Sequence, residues 1–129
     1  MNDDDLVSAA SNARNQAYSL YSHFAVGAAL LDSSGKVFVG CNVENISFGL
    51  TMCAERVALG SAISAGSRKF TCIAIVSDSK EPVSPCGACR QVLAEFAPNL
   101  RIISANLVGD RAHLELTHLL PRASTGILG

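Results

Sequence analysis

Three cysteines and one glutamate are the residues of this chain whose types and spacing could do chemistry. They stand as Cys53-Ala-Glu55 and, 33 positions on from Cys53, as Cys86-Gly-Ala-Cys89. Two thiols three residues apart at the start of a helix share one face and can bite a single metal ion. All three fall where helices are expected to begin. The positive end of a helix lowers a thiol pKa from about 8.5, so thiolates become available at neutral pH. Cys53 can join the other pair if the intervening strand sets the two helices side by side. Three thiolates would fill three of the four tetrahedral positions of zinc and leave one open for water, as in a catalytic site. Glu55, two residues from a ligand, could take a proton there and hand it to a leaving nitrogen as general acid/base. The expectation is one zinc per chain on Cys53, Cys86 and Cys89.

Other readings of the same residues remain open. A closed structural zinc would need a fourth ligand from Cys41, Cys72, His23, His113 or His118. Of these, Cys72 lies mid-strand in an apolar run and Cys41 at a strand end, where a cysteine commonly packs as a small hydrophobe. The Cys86–Cys89 pair could instead be a redox dithiol. It is preceded by Pro85 rather than an aromatic, the chain has no Trp, and this reading leaves Cys53 and Glu55 unexplained. Glu55 taken alone would suit a surface carboxylate favoured by the helix dipole.

The elements that must position these groups follow from pattern. Asp3 to Asp5 offer a cap and negative charge to a helix through Leu6, Ala10, Ala13 and Ala17, ending near Tyr18. Apolar runs at 25–31 and 36–40 flank Asp32-Ser-Ser-Gly35, a hairpin. The pattern then lapses over 42–51, a loop. A helix over 53–65 ends at Gly66, and a β-prone run over 70–76 suits a central strand. Ser84-Pro85 reads as a cap and first helical position, with the helix stopped by Pro98. Strands over 101–107 and 112–116 complete the order α-β-β-α-β-α-β-β. That order implies a three-layer α/β/α sandwich on a mixed five-stranded sheet, in a single domain spanning 1–129.

Composition narrows the function classes. A chain of 129 residues with 49% hydrophobic and 16% charged residues has ample apolar surface to offset its ordering entropy, which excludes disorder. A net charge of −1 gives no electrostatic footprint for a polynucleotide or an anionic membrane, and favours small, roughly neutral ligands. The acidic start, Met1-Asn2-Asp3-Asp4-Asp5, is unlike a targeting peptide. Apolar runs fall short of the roughly 18 residues that span a bilayer. Five cysteines cannot all pair within the chain, which points to the reducing cytoplasm.

C-x-E followed by P-C-x-x-C is the zinc signature of nucleobase deaminases with a third Cys in place of His. Over nearly its whole length the chain resembles the small homotetrameric cytidine deaminases. The resemblance is carried by Tyr21-Ser-His-Phe-Ala-Val-Gly-Ala-Ala29, Gly40-Cys-Asn-Val-Glu-Asn45, Cys53-Ala-Glu-Arg56, Ser84-Pro-Cys-Gly-Ala-Cys-Arg-Gln91 and Leu119-Leu-Pro121. It implies a cytidine deaminase-like fold, a homotetramer, zinc on Cys53, Cys86 and Cys89, and Glu55 as proton shuttle. It further implies that cytidine or deoxycytidine is deaminated in pyrimidine salvage. Asn42 and Glu44 would then hold the ribose, Val43 would be a further substrate contact, Phe24 would pack beside the nucleoside, and backbone at Ala54 and Ser84 would read the base.

Charge fits these roles. Glu44 suits a ribose hydroxyl and repels a phosphate. Zn²⁺ with three thiolates carries a net negative charge that Arg56 can offset, with Gln91 acting beside it. The chain departs from the family pattern at Leu20 and Ala25, where Pro is usual, and at Phe48, where Tyr is usual. Ser124 stands where an aromatic usually reaches a neighbouring subunit's base, leaving stacking to Ile127 or Leu128. Deamination of a modified cytosine nucleoside of the blasticidin S type is the nearest enzymatic alternative. A noncatalytic zinc-binding module is the alternative of another class.

Overall fold

The computed structural model describes residues 1–123. Helix α1 covers Asp3–Arg14, and strands β1 (Val26–Asp32) and β2 (Val37–Cys41) form the hairpin. A short 3₁₀ turn at Phe48–Leu50 precedes α2 (Ala54–Ser64), β3 (Phe70–Ser77) and α3 (Gly87–Phe96). Strands β4 (Arg101–Asn106) and β5 (Arg111–Glu115) and the brief α4 (Leu116–Leu119) complete the described chain. The five strands lie in the order β2-β1-β3-β4-β5, antiparallel except for the parallel pair β3–β4. The expected mixed five-stranded sheet and three layers are therefore present.

Period-two alternation sorts the sheet residues between two cores. One face buries Ala29, Cys72, Ala74, Val76, Ile103 and Ala105 against Leu6 and Ala10 of α1. The other buries Ala28, Leu30, Ile73, Ile75 and Ile102 against α2 and α3. The parallel β3–β4 pair requires a crossover, and α3 supplies it. That crossover places α3 on the same face as α2.

Several boundaries differ from expectation, each for a hydrogen-bonding reason. Asn2, rather than an aspartate, caps α1; its side chain accepts from the Asp5 N–H at 2.8 Å and the Asp5 carboxylate reaches back. The same helix stops at Arg14 instead of Tyr18. The N–H groups of Asn15, Gln16 and Ala17 tighten to carbonyls three residues back, and Tyr18 then pairs with the 42–44 segment. Helix α3 starts at Gly87, capped by Cys86 through its sulfur, so Ser84 and Pro85 belong to the preceding loop. Helix α4 was not legible, because four residues are too few to show a period.

Two glycines let the helices lie directly on the hairpin. A Cβ at Gly27 would sit 2.0 Å from the Ala10 carbonyl oxygen of α1. A Cβ at Gly40 would sit 2.4 Å from the Ala58 nitrogen and 2.5 Å from the Ala54 oxygen of α2. Backbone cannot swing aside as a side chain can. Gly40→Ala should therefore destabilise the fold by about 1–3 kcal/mol or more. Gly60→Ala, inside α2 where a Cβ meets nothing within 4 Å, should stabilise it by about 0.5–1 kcal/mol. Denaturant titrations of both variants beside the parent check the two signs.

Candidate active site

Cys53 occupies the N-cap position of α2 without a side-chain capping bond, Cys86 caps α3 through its sulfur, and the two helix starts meet on one face of the sheet. The Cys53 and Cys86 sulfurs are 3.7 Å apart, and those of Cys86 and Cys89 are 3.4 Å apart. All three sulfurs lie within 4.8 Å of one another. A tetrahedral zinc with Zn–S bonds of about 2.3 Å needs sulfurs about 3.8 Å apart. The donor set fits zinc in kind and in spacing. Among the described residues no histidine or fourth cysteine belongs to the cluster. Cys72 is buried on the α1 side of the sheet, and Cys41 lies at the end of β2.

The thiols and their neighbours are electrostatically coupled. Cys53 is pulled down to about 5, chiefly by a hydrogen bond from Cys89 and, against the penalty of burial, by one from Arg56. Cys89 is pushed up by that same bond to Cys53 and by burial. Arg56 Nη2 donates to the Cys53 sulfur at 3.7 Å and to the Thr51 carbonyl at 3.1 Å. Its Nε is buried without a hydrogen-bond partner among the described residues. Glu55 is 5% exposed, so it is no surface capping residue. Burial raises its pKa, and the nearby Cys53 pushes the same way.

The remaining expected site residues are placed as follows. Ala54 is fully buried at the first turn of α2, where an N–H has no intrahelical acceptor. Val43 pairs by backbone with both Tyr18 and Met52, which draws the 42–44 segment alongside Cys53. Asn42 is buried and already engaged: its Oδ1 accepts from the Val26 N–H at 2.9 Å and its Nδ2 donates to the Phe24 carbonyl at 2.8 Å. Glu44 accepts from the N–H groups of Tyr21 and Ser22 and from the Ser22 hydroxyl, which hold its carboxyl below the ordinary range. Phe24 is 38% exposed at the end of that loop. Ser84 lies exposed ahead of α3, and Gln91 is exposed on α3 with no hydrogen bond to the thiols. Ser124, Ile127 and Leu128 lie outside the described residues.

Sequence reasoning missed Arg90. Its Nε donates to the Pro85 carbonyl at 2.7 Å and its Nη1 to the Leu119 carbonyl at 3.1 Å, clamping the turn that presents Cys86 onto α4. Its position directly after Cys89 was the available signal.

The family model for the cytidine and deoxycytidylate deaminase zinc-binding region matches residues 1–105. The chain belongs to this deaminase family. A cytidine deaminase from Halalkalibacterium halodurans is 51% identical over 93% of this chain and 92% of that protein. One from Sporosarcina psychrophila is 47% identical over 95% of this chain and 91% of that protein. The crystal structure of cytidine deaminase from Burkholderia pseudomallei superposes with a TM-score of 0.93 at 50% identity, covering 95% of this chain and 99% of that one. As expected of a zinc-binding deaminase, this chain brings its three thiols to one point.

The metal assignment has a direct check. Cys53→Ala should lose stoichiometric zinc, and Cys72→Ala, on the far side of the sheet, should keep one zinc per chain. Elemental analysis of both purified variants beside the parent decides this.

Proposed function

We propose that this chain hydrolytically deaminates cytidine, and 2′-deoxycytidine, to the corresponding uridine nucleoside with release of ammonia. The observation that carries the reading is a buried carboxylate, Glu55, set beside three convergent thiols at a helix start. Cys53, Cys86 and Cys89 would hold zinc, whose Lewis acidity lets water act as a nucleophile at neutral pH. Glu55 does the proton work. It takes one proton from the attacking water and delivers it to N3 of the ring as the C4–O bond forms. It then takes the second from the new C4 hydroxyl and delivers it to the amine as the C4–N bond breaks and the C4 carbonyl forms. Burial raises its proton affinity, which suits a group that must take and return protons near neutrality. Arg56 would offset the negative charge gathered on the sulfurs, and the Ala54 N–H, without an intrahelical acceptor in the first turn of α2, would donate to the base.

The sugar side favours a nucleoside over a nucleotide. A cavity of about 370 Å³ is lined by Tyr21, Ser22, Glu44, Phe48 and Thr51, so its charged member is an acid. Glu44 and the remaining hydrogen-bond capacity of Asn42 suit ribose hydroxyls. Cytidine should be consumed, seen as loss of its ultraviolet band, in preference to cytosine, the monophosphate or blasticidin S. Glu55→Gln keeps size but cannot accept a proton. It should keep zinc and melting temperature while kcat falls at least about 10²–10⁴-fold, with KM much less affected. A variant that binds zinc and turns over near the parent rate would remove Glu55 from this role.

The same region supports assembly. Leu20, Ile46, Phe48 and Leu50 are 59–80% exposed on two loops joined by the Tyr18–Val43 bridge. Such an apolar patch marks an interaction surface. The resemblance supplies the number, a homotetramer in the cytoplasm. No helix among the described residues is long and apolar enough to cross a membrane. Light scattering should return four times the chain's 13.5 kDa, and a stable, fully active monomer would reject the assembly.

A further inference from the structure

Between the Tyr18–Val43 bridge and the start of β1, residues 19–24 turn tightly over Glu44. Glu44 Oε1 accepts from the Tyr21 N–H at 2.9 Å and the Ser22 N–H at 3.0 Å. Glu44 Oε2 accepts from the Ser22 hydroxyl. That same hydroxyl oxygen accepts from the Phe24 N–H at 3.0 Å. Between Ser22 and Phe24, His23 takes a left-handed backbone, φ 58°, with its N–H on the Ser19 carbonyl at 2.9 Å.

A hydroxyl has one proton to give and two lone pairs. Ser22 gives its proton to the Glu44 carboxylate and a lone pair to the Phe24 N–H, so one oxygen fixes both groups at once. A carboxylate has about four acceptor positions. Three on Glu44 are filled from within the chain, which leaves one, on Oε2, for a ligand. We propose that Ser22 is a positioning residue for sugar recognition: it holds the Glu44 carboxylate and the Phe24 ring in one geometry and restricts Glu44 to a single ribose hydroxyl. This rests on the nucleoside reading above.

Ser22→Ala removes the joint and leaves the backbone bonds to Oε1 in place. Oε2 then loses its donor, Phe24 loses its acceptor, and the left-handed turn at His23 loses a support. Zinc content should stay at one per chain, since no thiol is touched. KM for cytidine should rise on the order of tenfold, the scale of one charge-assisted hydrogen bond, with kcat within about threefold of the parent. Ser22→Thr, which keeps the hydroxyl, should recover most of the loss. In the parent, either 2′-deoxycytidine or 3′-deoxycytidine should show the loss of a recognised hydroxyl, and in Ser22→Ala that discrimination should shrink.

A readout independent of turnover comes from the absence of Trp in the chain. Phe24→Trp then reports on a single ring, and adding Ser22→Ala should lower its fluorescence anisotropy and shift its emission to the red. Unchanged anisotropy, or a KM within twofold of the parent, overturns the role of Ser22 while parental turnover of cytidine leaves the functional reading standing. A parent that does not consume cytidine overturns that reading and this role with it.

Discussion

Helix α2 lies with its backbone against Gly40 of β2, closer than any side chain would permit. That approach positions the start of the helix, and with it Cys53, relative to the sheet. The second half of the thiol cluster arrives by a different route. The parallel β3–β4 pair demands a crossover, and the crossover helix α3 begins at Cys86 on the face that α2 already occupies. A slip in either contact would separate sulfurs that stand 3.4–3.7 Å apart. The metal site is thus a meeting of two helix starts, each set by a backbone constraint of the sheet.

Helix starts also explain why charge gathers there. Orphan N–H groups and aligned peptide dipoles favour negative charge at these ends. The structure uses that preference for thiols, with the Cys89 N–H donating to the Cys86 sulfur at 3.4 Å. Glu55 runs against its own solvation, buried with its pKa raised. Arg56 donates to the Cys53 sulfur, while its Nε lacks a partner among the described residues. An orphaned buried donor of this kind is costly, by about 1–3 kcal/mol, in a purely structural setting. Here it accompanies a cluster built to carry excess negative charge.

Around this centre the proposed sugar side is made of loops. The 18–24 and 42–45 segments pair through Tyr18 and Val43, and Val43 pairs in turn with Met52 beside Cys53. Hydrogen bonds to Glu44 join the two loops, and those of Asn42 tie them to the start of β1. The exposed apolar residues cluster on the same loops, so the proposed mouth of the site and the proposed assembly surface are one region of the molecule.

Much was legible in the sequence because it depends on local spacing. Cys86-Gly-Ala-Cys89 must share a helical face, Cys53-Ala-Glu55 must share a helix start, and alternating apolar runs must form strands. Gly66 was recognisable as the residue ending α2, and it takes the left-handed φ of 94° that a glycine tolerates there. Tertiary structure alone decided what depends on competition between distant partners. Whether Cys53 reaches Cys86 follows from strand order, which no local period encodes. Asn42 carries the hydrogen-bonding groups expected of a sugar ligand, yet much of its amide is engaged by Val26 and Phe24. Gln91 has a suitable side chain, but it is exposed on α3. Cys86 displaced Ser84 as the cap of α3 because a backbone N–H takes the acceptor that packing brings to it. Residue type and spacing determine which groups are capable of the chemistry; only the folded chain determines which acceptor each donor meets.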